Sequence, residues 1–264
     1  MRIGLVQSEP AHLDLETTCK RLEPQLAACA SDGADLIILP ELAGSGYSFP
    51  DKESLIKVAE PSDGSGPFLG WIKERCSEFG CSVVTGYAEA GSNHLYNSAA
   101  LVSSNGVCGN YRKLHLFDRE PELFTPGNLG VPIFTIKDAK FAILICFDWA
   151  FPEVWRMAAL AGADFIAHPS NLVLPWAQTA TKGHALCNRI FVFTANRIGS
   201  EGELHFTGAS QALDPNADIL ANAPTDSKWQ QVFAISPEDA RDKQAGDGVD
   251  LFSARRPEIY DQHI

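Results

Sequence analysis

The stretch Phe141-Ala142-Ile143-Leu144-Ile145-Cys146-Phe147-Asp148-Trp149-Ala150-Phe151-Pro152-Glu153 decides how this chain folds. Its first six residues form an apolar, β-branched-rich run that reads as a strand, and Pro152 sits where a first helical turn tolerates proline. A strand therefore turns sharply into a helix, with Cys146 at the corner. Similar apolar runs recur at residues 3–7, 36–39, 81–87, 99–103, 133–136, 165–168, 191–195, 208–213 and 229–234. Between several of them, residues 14–31, 66–79, 152–161 and 175–188 carry helical spacing, so the pattern is α/β. Pro24 lies inside the first of these helices and is expected to kink or split it.

At 264 residues, with 45% hydrophobic and 20% charged side chains, the chain can enclose a large core. No low-complexity linker or fixed-period repeat divides it, so residues 1–264 are expected to form a single domain. Acidic residues outnumber basic ones by 33 to 21, and a net charge of −12 supplies no general positive field for nucleic acid or anionic lipid. The longest apolar runs fall far below the roughly 20 residues a membrane-spanning helix needs. Seven cysteines with no CxxC pair, behind an N-terminus too short in apolar residues for a signal peptide, point to a reducing, cytoplasmic setting.

In open α/β sheets ligands collect beyond the carboxyl ends of strands, which directs attention to three places. Cys146 ends its strand just before a helix, a position suited to a nucleophile if a base or positive charge activates the thiol. Glu41 follows Leu36-Ile37-Ile38-Leu39-Pro40 directly, so its carboxylate is expected at the edge of the core, where burial suits it to act as a base. Lys113, in Tyr111-Arg112-Lys113-Leu114-His115, could equally be half of a basic surface pair with Arg112. The other cysteines read as small buried hydrophobes. The seven histidines show no HExxH or close ligand spacing, and no metal site is expected.

Together, Leu39-Pro40-Glu41-Leu42, Tyr111 to Leu116 and Ile145 to Glu153 resemble, in order and spacing, the three signatures of the nitrilase (carbon–nitrogen hydrolase) superfamily. The resemblance runs from Ile3 to about Leu220. It implies a four-layer α-β-β-α sandwich, no cofactor, and a Glu41-Lys113-Cys146 triad. A further glutamate is implied by a Glu-x-aromatic-x-x-Gly segment, matched by Glu122-Leu123-Phe124-Thr125-Pro126-Gly127, which selects Glu122 with Glu120 as second choice. Cys146-Phe147-Asp148 followed by Phe151-Pro152-Glu153 looks like the amidase branch rather than the nitrile branch. The expected activity is thiol-dependent hydrolysis of a small aliphatic amide to acid and ammonia, with nitriles or N-carbamoyl compounds as alternatives. A catalytically silent subunit would be expected to lose a triad residue, and all three are present. Asn171 and Trp149 are expected to line the acyl pocket, with Phe147 and Tyr47 narrowing it. Family members commonly pair through the helix after the cysteine. Here that helix carries Phe151, Val154, Trp155, Met157 and Leu160, which favours at least a homodimer.

Overall fold

The structure is a computed structural model, and it describes residues 1–260. The first half runs β1 (Arg2–Gln7), α1 (Leu15–Ser31), β2 (Leu36–Ile38), α2 (Lys52–Val58), α3 (Pro67–Phe79), β3 (Ser82–Ala90), β4 (Leu95–Ser103) and β5 (Gly106–Arg112). The second runs α4 (Glu120–Leu123), β6 (Ile133–Ile136), β7 (Ala139–Ile143), a 3₁₀ turn (Cys146–Ala150), α5 (Pro152–Leu160), β8 (Phe165–Pro169), α6 (Ala177–Asn188) and β9 (Phe191–Ala195). Short strands β10 (Ser200–Glu201), β11 (Leu204–His205), β12 (Gln211–Leu213), β13 (Ile219–Asn222) and β14 (Trp229–Ala234) precede α7 (Pro237–Arg241) and α8 (Pro257–Tyr260).

Two six-stranded sheets result, ordered β14-β1-β2-β3-β4-β5 and β13-β12-β9-β8-β7-β6. Each has three parallel strands at its centre, β1-β2-β3 and β7-β8-β9, flanked by antiparallel partners. The unbroken apolar runs find their reason here. Leu36 and Ile38 join the core shared by the two sheets, whereas Ile37 and Leu39 join the layer under α1 and α3. A strand buried on both faces needs apolar residues at every position. On the far side, Val154, Trp155 and Ala158 of α5 cover the second sheet, which completes the expected four-layer α-β-β-α order.

The chain departs from expectation in four places. Helix α1 runs unbroken through Pro24 rather than splitting there, its buried Leu22, Gln25 and Leu26 packing on the first sheet. The strand before Cys146 ends at Ile143, and the cysteine opens a 3₁₀ turn instead of closing the strand. Helix α2 and the hairpin β10-β11 carried too little periodic signal to be anticipated. On α5, Val154 and Trp155 face the interior, leaving Met157 and Leu160 as its exposed apolar side chains. Among the described residues, no helix is long and apolar enough to cross a membrane.

Candidate active site

Glu41 stands just beyond β2, where the chain leaves the sheet, and it is fully buried. Its backbone passes so close to β3 that a Cβ on Gly86 would lie 2.5 Å from Glu41 Cα, so only glycine permits the approach. One carboxylate oxygen, Oε1, accepts from Asn97 Nδ2 at 2.7 Å and from Lys113 Nζ at 2.7 Å. The other, Oε2, is buried and has no protein partner. An oxygen held in place by its twin's two donors, with its own lone pairs free, is positioned to receive a proton.

Lys113 follows β5 directly and is buried, so it is no member of a surface pair. Arg112, its neighbour, turns the other way and forks onto Glu89 at 3.0 and 3.1 Å. Besides Glu41, Lys113 Nζ donates to Glu120 Oε1 at 2.6 Å. Burial opposes the ammonium charge, but the carboxylates of Glu120 and Glu41 outweigh it and hold the lysine pKa above its ordinary value.

The choice between the two glutamates is corrected. Glu122 points to solvent, its carboxylate about two-thirds exposed and paired with Arg119 at 3.3 Å. Glu120, two residues earlier on the same short helix, is the buried one that reaches Lys113. It also accepts the hydroxyl of Tyr47 at 2.7 Å and the N–H of Phe117 at 3.2 Å. Burial pushes its carboxyl pKa up, against the pull of Lys113. Glu120→Gln is expected to cost at least tenfold in kcat/KM, whereas Glu122→Ala should leave kcat within about twofold. Steady-state kinetics that rank the two variants the other way would restore Glu122.

Cys146 opens the 3₁₀ turn at φ +42°, a left-handed conformation that a non-glycine residue adopts at a cost of order 1 kcal/mol. Two side chains hold the turn. His168 Nε2 bonds the Cys146 carbonyl at 3.0 Å, while Nδ1 meets Thr194 Oγ1 at 3.0 Å. A carbonyl only accepts, so Nε2 carries the proton, and burial keeps the ring neutral with a pKa lowered to about 4. Asp148, also fully buried, accepts from Ile145 N at 2.9 Å, Tyr111 Oη at 2.7 Å and His115 Nδ1 at 2.7 Å. One carboxylate thus ties the Cys146 turn to both flanks of Lys113. The Cys146 thiol is raised well above its ordinary pKa by burial and by Glu41, with Lys113 and the backbone N–H of Asn171 pulling it back. Burial thus favours the protonated thiol, and its activation calls for a base.

Cys146 opens on a narrow recess lined also by Phe117, Phe147, Trp149, Asn171 and residues 172–174. Both polar atoms of the buried Asn171 amide lack a protein partner. Three of the four expected pocket residues are therefore here. Tyr47 is not, since its ring faces a neighbouring recess with Phe49 and Glu120 and its hydroxyl is spent on Glu120. The contacts of Asn97 with Glu41, of Asp148 with Tyr111 and His115, and of His168 with Thr194 join segments distant in sequence and leave no local pattern in the chain.

A buried carboxylate, ammonium and thiol, converging from the ends of β2, β5 and β7, accompany a match of residues 2–244 to the sequence profile of the carbon-nitrogen hydrolase family. The chain belongs to the carbon–nitrogen hydrolase family. It is accordingly an enzyme that hydrolyses C–N bonds. It is 37% identical over 260 residues to a nitrilase of Pyrococcus abyssi, covering 98% of this chain and 99% of that one. An (R)-stereoselective amidase of Pseudomonas is 32% identical over 86% of this chain and 82% of its own length. The fold superposes on a crystal structure of an amidase from Nesterenkonia with a TM-score of 0.86 at 24% identity, covering 100% and 96% of the two chains.

Proposed function

We propose that this carbon–nitrogen hydrolase converts a small, neutral aliphatic amide to the carboxylic acid and ammonia through a thioester on Cys146. The observation that carries the reading is the Glu41 carboxylate, with Oε1 pinned by Lys113 and Asn97 and Oε2 free. Glu41 takes the thiol proton as Sγ attacks the amide carbon, and the oxyanion is held by Lys113 Nζ and the Phe147 N–H. The protonated Glu41 then gives its proton to the leaving nitrogen, and the C–N bond breaks to release ammonia. Water, deprotonated by the same carboxylate, attacks the thioester carbon, and the C–S bond breaks to return the thiol and release the acid. Glu120 does not touch the substrate but fixes the Lys113 ammonium against Glu41.

Pocket chemistry supports the substrate class. Aromatic and aliphatic side chains dominate the recess beside Cys146, Asn171 offers the main polar contact, and no charged side chain is among its lining residues. Arg112 is committed to Glu89, and Arg189 bonds the Pro215 carbonyl at 3.3 Å, so neither is free to bind a substrate carboxylate. N-Carbamoyl amino acids are therefore disfavoured. A second reading, hydrolysis of small nitriles, is favoured by the similarity to the Pyrococcus nitrilase. A panel of short aliphatic amides, dinitriles, ω-amides and carbamoyl amino acids, scored for ammonia release, tests both. Turnover of the amides alone is expected, and turnover confined to nitriles would replace the first reading with the second.

The exposed apolar side chains Met157 and Leu160 of α5 and Leu186 of α6 support a homodimer formed on that helical layer. Sedimentation at micromolar concentration should give twice the chain mass, and a monomer there would overturn the pairing. The seven free thiols and the site drawn from both sheets fit a single catalytic unit working in a reducing cytoplasm.

A further inference from the structure

The loop that follows Glu41 carries Tyr47, and it is tied to the separate β10-β11 hairpin by a buried carboxylate. Glu201, on the β10-β11 hairpin, places Oε2 at 2.8 Å from the N–H groups of both Tyr47 and Ser48. Its Oε1 accepts from Arg197 Nη1, and both side chains of this ion pair are almost wholly buried, at 3% and 1% exposure. Arg197 is itself fixed by a bond from Nε to the Ile198 carbonyl at 3.2 Å, and its guanidinium lies 3.9 Å from the centre of the Phe206 ring. Phe206 in turn meets the Tyr47 ring edge-on at 6.1 Å. Gly46 completes the fit, since its φ is +84° and a Cβ there would come within 2.5 Å of Glu201 Oε1.

A desolvated ion pair is a costly way to hold a loop unless the loop must be held in one place. Here the held residue is the one whose hydroxyl reaches Glu120, and Glu120 reaches Lys113. We infer that Glu201, charged and oriented by Arg197, is a positioning residue that sets Tyr47 against Glu120 and so places the Lys113 ammonium for the reaction. This rests on the triad reading above. The groups facing Glu120 are Lys113, Glu41, Cys146, Tyr47 and the Phe117 N–H, whereas those facing the clamp are the His12 ring beside Gly46 and, near Arg197, Glu9 and Glu41. None of these can replace Glu201 as an acceptor for the two loop N–H groups without a change of backbone.

The test is a double-mutant cycle of Glu201→Ala with Tyr47→Phe in the full-length enzyme. Each single variant should lower kcat/KM on the best amide by roughly tenfold or more through kcat, because a small misplacement of the lysine is felt in the transition state. The double variant should fall no further than the worse single one. Since the Tyr47 hydroxyl helps keep Glu120 ionised, its loss raises the Glu120 pKa, and the acid limb of the kcat/KM profile should move to higher pH in both single variants. A merely structural clamp would lower Tm and leave that limb in place. Glu201→Gln keeps an acceptor for Tyr47 and Ser48 and should stay folded with an intermediate loss. Iodoacetamide labelling of Cys146, followed on its peptide by mass spectrometry, reads the same chain of contacts with no substrate. Slower labelling, matched and non-additive in the two variants, is expected. Folded Glu201 variants with wild-type kcat/KM and an unmoved acid limb, or labelling losses that simply add, would overturn the positioning role. Failure of the wild type to release ammonia from any compound would instead overturn the amide reading, and the labelling cycle would still decide the clamp.

Discussion

Replacing Cys146 by alanine is expected to abolish ammonia release, by roughly 10⁴-fold or more, while the protein stays folded. In the proposed mechanism the Cys146 thiol is the nucleophile, and without it the neighbouring carboxylate has no thiol proton to take and the ammonium no tetrahedral oxyanion to hold. Folding should survive because the change deletes one atom at the edge of an existing cavity. Alanine tolerates φ +42° no worse than cysteine does, and the His168 bond goes to the main-chain carbonyl, which remains. Electrospray mass spectrometry of the wild type with its best amide should trap an acyl adduct on the Cys146 peptide, absent from the variant. Activity that persists in Cys146→Ala and disappears with a chelator would end the thiol mechanism.

Lys113→Ala should lower kcat by about 10²-fold or more with a smaller change in KM, since an oxyanion forms only as the transition state is approached. The variant also carries a folding cost. Removing the ammonium leaves Glu41 and Glu120 buried with no counter-charge, a loss of about 3–5 kcal/mol if neither takes up a proton. Lys113→Arg separates the two effects. It keeps the positive charge, but a planar fork cannot put one nitrogen within 2.7 Å of Glu41 and 2.6 Å of Glu120 in a slot sized for an ammonium. Its Tm should recover more than its kcat does. Near wild-type kcat in Lys113→Arg would show that placement of this charge is not required, and Lys113 would leave the catalytic set.

Much of this site could be read along the chain because its three central residues sit where local signals change. Glu41 and Cys146 each end an apolar run, and a polar side chain at such a boundary marks the rim of a sheet, whatever the rest of the protein does. The runs themselves are apolar at every position because each strand is covered on both faces, so the layered fold was visible in composition and period. Lys113 was legible only in company, as its own neighbourhood suits a surface pair equally well.

The choice between Glu120 and Glu122 belonged to tertiary structure alone. Both lie on one four-residue helix, and which of them faces inward depends on how that helix docks against Tyr47 and Lys113. Tyr47 was assigned to the wrong recess for the same reason, since an aromatic ring near the site can either line the substrate cavity or reach past it to a carboxylate. Pro24 was expected to kink or split α1, and the helix does not split there, continuing through it with Leu22, Gln25 and Leu26 buried. Asn97, Asp148 and Glu201 act on partners 56, 33 and 154 residues away in sequence. Local pattern records which residues are apolar and where strands stop, because burial and backbone geometry repeat with a short period. The direction in which a polar side chain finds its partner is decided by packing between distant segments, and that has no period to read.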